Sequence, residues 1–121
     1  MKIKKIFAIL IITISLFGLT GCSNTSTEVK DDRRLDYFVG EFQKAYTTSE
    51  PERPILTYVE AQDGRVFWIE NHIVKIYQYK DEDAYNKAVK DNYQVKNMPR
   101  NGLFVLDTDT IKYDNFFIDI K

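Results

Sequence analysis

Apolar residues follow two regimes along this chain. Ile6 to Leu19 is a nearly unbroken apolar run, led by Lys2, Lys4 and Lys5, with no acidic residue before Glu28. A helix that spans a bilayer needs roughly 20 apolar residues, so a run of about 14 after a short positive segment predicts a secretory signal. Ser23 to Lys30 is polar and aperiodic and reads as a tether. Beyond it the pattern becomes periodic. Leu35, Phe38, Val39, Phe42, Ala45 and Tyr46 share one helical face over 31–46, with Asp31 and Asp32 placed to cap its start and Thr47, Thr48, Ser49 and Pro51 to end it.

Three strands are expected next. Ile55 to Gln62 is rich in β-branched and aromatic residues. Asp63-Gly64 is a hairpin signal, because both central residues of a type I′ turn need positive φ. Arg65 to Glu70 returns, Asn71-His72 turns again, and Ile73 to Lys80 forms the third strand. Asp81, followed by Glu82 and Asp83, reads as the N-cap of a second helix carrying Ala84, Tyr85, Ala88 and Val89. Tyr93 to Gly102 is a loop punctuated by Pro99 and Asn101-Gly102, and Leu103 to Leu106 is a strand buried on both faces, central to the sheet. In the last segment, 109–121, Tyr113, Phe116, Phe117 and Ile120 have helical spacing while FFIDI also alternates like a strand; the helix is favoured because Asp107-Thr108-Asp109 offers caps. The order α-β-β-β-α-β-(α) predicts a small α+β fold, a two-layer sandwich with a mostly antiparallel sheet.

The apolar run ends in Leu19-Thr20-Gly21-Cys22, and Cys22 is the only cysteine in the chain. Leucine, a small residue, glycine and cysteine at that place resemble the signal of bacterial membrane lipoproteins of the Gram-positive type. The resemblance covers the first 22 residues. It implies diacylglyceryl transfer to the Cys22 sulfur and cleavage after Gly21, hence a signal peptide 1–21, a tether 22–30 and one α+β domain 31–121, held on the outer face of the cytoplasmic membrane. Acylation also removes an otherwise exposed reactive thiol, and two acyl chains anchor far better than one.

Composition sharpens this picture. Without Lys2, Lys4 and Lys5 the remaining 100 residues carry 14 basic and 18 acidic side chains, a net charge of −4, well mixed, which argues against nucleic acid as a partner. No cysteine is left for a disulfide, so the domain must stand on a core built from eight Tyr, six Phe and Trp68.

Chemistry is sparse. His72 is the sole histidine and falls in a turn, which leaves no His/Cys zinc set, and no metal or cofactor is expected. After the tether Ser49 is the only serine, without a nucleophile-elbow sequence. Glu60 and Glu70, a candidate acid/base pair, would approach each other across the Asp63-Gly64 hairpin, but solvated strand carboxylates are the commoner outcome; the acidic runs at 81–83 and 107–109 lack the spacing and glycine of an EF-hand. No catalytic residue is assigned, and the chain is not expected to be an enzyme. Both faces of the strands carry large side chains: Val66 and Trp68 share one face of their strand, and Ile73, Lys75, Tyr77 and Tyr79 one face of the next. The bland account is amphipathic tyrosines on a half-exposed face. The sharper one is a partner-binding face of Trp68, Tyr77 and Tyr79, since Trp and Tyr dominate interface hot spots.

The expected function is therefore a non-catalytic interaction module, anchored to the membrane through a covalent lipid on Cys22 and binding another envelope protein. In size and layout the chain resembles small Gram-positive lipoproteins of mobile elements, exclusion lipoproteins among them, which implies an exclusion or immunity role. The alternative is a small ligand-binding or transport-accessory lipoprotein.

Overall fold

Every helix and strand after residue 30 is shaped by one conflict: a sheet with apolar side chains on both faces has to hide both. The computed structural model describes residues 31–121. Its elements are α1 (Leu35–Ala45), a 3₁₀ turn (Thr57–Val59), β1 (Asp63–Ile69), β2 (His72–Gln78), α2 (Glu82–Asp91), α3 (Tyr93–Lys96), β3 (Arg100–Asn101), β4 (Phe104–Thr108) and α4 (Ile111–Ile118). The α+β class and the antiparallel sheet are as expected, the sheet order being β1-β2-β4-β3 with every pairing antiparallel. The last segment is helix, as favoured.

Register sorts the side chains. Phe67 faces Val74, Val74 faces Thr108 and Ile76 faces Leu106, which places these residues on one side of the sheet. Against that side pack Leu35, Phe38, Val39 and Phe42 of α1 and Tyr113 and Phe117 of α4. Phe38 lies between Phe104 and Phe117, with ring centroids 4.4 and 5.4 Å away. On the opposite side Tyr77, Tyr79 and Val105 are buried with Val59, Ala88 and Val95. The expected two layers are thus corrected: helices α1 and α4 cover one face, and α2, α3 and the 3₁₀ turn cover part of the other.

That second cover explains the misread strand. Ile55 to Gln62 is not a strand; it curls through the 3₁₀ turn and a left-handed Glu60 (φ 54°), which carries Val59 inward and leaves Ile55 exposed. The Tyr79 hydroxyl donates to the Val59 carbonyl at 2.7 Å, replacing the backbone pairing that a strand would have made. The Asp63-Gly64 hairpin is corrected too. Both residues lie inside β1, and the turn is Glu70-Asn71, with Glu70 at φ 58°. Gly64 is needed for close approach: a Cβ there would stand 3.0 Å from the Ile76 carbonyl oxygen and from Cδ1 of Tyr77, and 3.1 Å from Pro54.

Local capping accounts for the helix starts. Asp81 Oδ1 accepts from the Ala84 N–H at 2.8 Å and caps α2, as expected. Asp81→Ala should therefore lower stability by about 1 kcal/mol, read from the thermal midpoint of the full chain. Thr110 caps α4 in place of the acidic run before it, and α1 begins at Arg34 with no side-chain cap. Asp31, expected as that cap, instead accepts from the Leu103 N–H and pairs with Arg33. The outer edge of β1 is covered by the chain itself, Glu52 exchanging two 2.8 Å backbone bonds with Val66.

Candidate functional site

Sequence reasoning pointed to two places. The first, Leu19, Thr20, Gly21 and Cys22, lies outside the described residues, as does the tether 22–30. The second, the face of Trp68, Tyr77 and Tyr79, is divided by the structure. Trp68 is 48% exposed, near the Glu70-Asn71 turn, whereas Tyr77 and Tyr79 are fully buried core. The Tyr77 hydroxyl is hydrogen-bonded to that of Tyr58 at 2.5 Å. Burial, reinforced at Tyr77 by that bond, pushes both buried phenols far above their ordinary range, so they stay neutral packing groups at any physiological pH. The proposed face of three therefore reduces to Trp68.

Ser49 and His72 find structural partners. Ser49 Oγ accepts from the Trp68 N–H, and His72 Nδ1 meets Asp109 Oδ1 at 2.9 Å. Glu60 and Glu70 do not converge. One precedes β1 and the other follows it, about 20 Å of strand apart, and Glu60 takes bonds from Lys87 and Asn92. Among the described residues no group of three His, Cys, Asp or Glu is placed to hold a metal ion. Among them, too, no helix is long and apolar enough to cross a membrane.

Three of the concavities among the described residues bear on the site. One, of about 430 Å³, is polar and lies beside the start of α1, where Arg33 is tied to Asp31 and Arg65 to Asp63. A shallow one of about 250 Å³ borders Tyr37 and Phe116. The third, of about 290 Å³, was not legible in the sequence. It opens where β4 outruns β3. Leu106, Asp107 and Thr108 form its strand wall, Gln94, Asn97, Met98 and Pro99 one flank, Tyr58 a second, and Asp114 of α4 a third. Burial first, and the nearby Asp107 charge second, raise the Asp114 carboxyl above the usual carboxylate range. Neither Asp107 nor Asp114 forms an ion pair among the described residues. Lys75, opposite Asp107 in the register, directs its ammonium to the Tyr58 hydroxyl at 3.5 Å. Chemically this cleft offers hydrogen-bond acceptors and negative charge beside the apolar side chains of Met98 and Pro99. No protein-family model matches the chain, and no curated protein or solved structure matches it either.

Proposed function

We propose that this chain is a membrane lipoprotein whose domain is a non-catalytic interaction module, anchored through a diacylglyceryl group on Cys22 and directed at another envelope protein. The observation that carries the reading is the sequence Leu19-Thr20-Gly21-Cys22 at the end of a signal-like apolar run, with the chain's single cysteine at the position that is acylated in such signals.

With such an anchor, the domain 31–121 would turn one end of its sheet toward the bilayer. Asp31 is held against the Leu103 N–H at 3.0 Å, at the end of the sheet where β1 begins and β2 ends. The nine steps from Cys22 to Asp31 can span at most about 30 Å, so an acylated Cys22 keeps that end close to the bilayer. Trp68 and the Glu70-Asn71 turn lie at the other end of β1, about 15–20 Å further along the strand. An exposed tryptophan at the end remote from the tether suits contact with a protein rising from the membrane, and anchoring raises its effective concentration against such a partner.

Growth with labelled palmitate tests the anchor. The wild-type chain should take up label and sediment with membranes, and Cys22→Ala should lose both. Equal labelling of the two, or none in either, would remove the anchor from this reading.

A further inference from the structure

We infer that the unpaired edge of β4 is a docking groove for an extended segment of a partner protein carrying two successive basic residues. This deepens the interaction-module reading and rests on it. Three observations carry it. First, the strand edge is open. Antiparallel alternation sends the N–H and C=O of Leu106 and Thr108 to the side where β3 would lie, and the Leu106 N–H does bond the Pro99 carbonyl at 3.0 Å. But β3 ends there: its register reaches only Val105 and Phe104. Pro99 has no N–H to return to the Leu106 carbonyl, and Thr108 lies beyond any β3 partner. Leu106 itself has no exposed surface, so the template an added strand can reach is the pair of backbone groups of the partly exposed Thr108.

Second, the edge is set in a cleft. Its volume of about 290 Å³ suits a few residues of extended chain and sits at the small end of the range for organic ligands. Third, the charge is right for one kind of occupant. Asp107 belongs to the sheet face that carries Val105 and Tyr77, and Asp114 comes from α4 on the opposite face. Successive side chains of an added strand point to opposite faces. Two neighbouring Lys or Arg residues would thus meet one carboxylate each, and neither carboxylate has an ion-pair partner among the described residues.

The test uses the full chain, with or without its lipid, and a fluorescein-labelled hexapeptide Thr-Val-Lys-Lys-Val-Thr, with a control in which both lysines are glutamate. The lysine peptide should bind, the glutamate peptide should not, and the Asp107→Asn/Asp114→Asn double variant should bind the lysine peptide about tenfold more weakly. Saturating peptide should also slow hydrogen exchange at the Thr108 amide of the wild type, a readout that needs no variant to fold. Equal binding of both peptides, competition by spermidine as effective as by unlabelled peptide, or an unchanged Thr108 exchange rate would each overturn strand addition; the spermidine result would make the cleft a site for free amines instead. Because binding is scored irrespective of acylation, failure here and failure of palmitate labelling at Cys22 are separate results.

Discussion

Alanine at Tyr77 should destabilise the domain by about 3–5 kcal/mol, the range for deleting a fully buried aromatic ring, while alanine at Trp68 should change stability by about 1 kcal/mol or less. Tyr77 has no exposed surface, stands against Gly64 across the β1–β2 pair, and shares a hydroxyl hydrogen bond with Tyr58. Its removal would leave a cavity under β1 that backbone from two strands cannot collapse into. A domain of this size has roughly 5–15 kcal/mol in total and shifts its midpoint by about 4–8 °C per kcal/mol, so the Tyr77 variant should be partly unfolded at modest temperature. Tyr77→Phe, which keeps the ring and loses only the hydroxyl bond, should cost about 1 kcal/mol. Urea titration of the full chain followed by circular dichroism reads all three. A Tyr77→Ala midpoint equal to that of Trp68→Ala would show that the second face is not a core.

The contrast between these two residues shows where the sequence was readable. Period-2 alternation correctly grouped Tyr77 with Ile73, Lys75 and Tyr79, and Val74 with Ile76, because that depends only on the pleat. Whether a face is covered depends on distant segments. Here the cover for Tyr77 and Tyr79 comes from Val59, Ala88 and Val95, contributed by a 3₁₀ turn and two helices. A strand over 55–62, the first of the three expected, would withdraw part of that cover and leave the tyrosines exposed. Gly64 failed for a related reason: Asp-Gly is a local turn signal, but here the glycine answers to a ring and a proline brought in from elsewhere. By contrast, Asp81 was legible because a cap is satisfied within three residues. The cleft at β4 was hidden for the opposite reason. It is defined by where β3 stops, and Pro99, read only as loop punctuation, is the residue that stops it.

Gly102→Ala should be among the most damaging single-methyl changes in the domain, costing about 3 kcal/mol or more. Gly102 has φ +66°, where an L side chain costs about 1–2 kcal/mol. An added Cβ would also stand 2.0 Å from Asp31 Oδ2 and 2.6 Å from the Arg33 guanidinium, so both side chains must shift. Asp31 is half of a clasp: it accepts from the Leu103 N–H and holds Arg33, which donates to Asn101 Oδ1 at 2.9 Å. The Asn101 amide in turn donates to the Phe117 and Ile120 carbonyls at the end of α4. One methyl thus unfastens the start of the domain from its last helix, and losing charged hydrogen bonds of this kind costs about 1.5–3 kcal/mol. A double-mutant cycle separates the two terms. In an Asp31→Ala background the 2.0 Å clash is gone and Arg33, released from its carboxylate, can swing aside, so Gly102→Ala should cost little more than its backbone strain, about 1–2 kcal/mol, and the pair should be clearly less than additive. The clasp also has a pH signature. Burial alone would raise the Asp31 carboxyl, but the hydrogen bonds from Arg33 and the Leu103 N–H, with the Arg33 charge, outweigh it and hold it below its ordinary 3.8. A carboxyl depressed on folding stabilises fully above its unfolded value and loses that contribution as pH falls through the folded one. The wild type should therefore lose its advantage over Asp31→Ala as pH drops below about 3.8, and additive behaviour in the cycle together with a pH-independent gap would show that Asp31 fastens nothing.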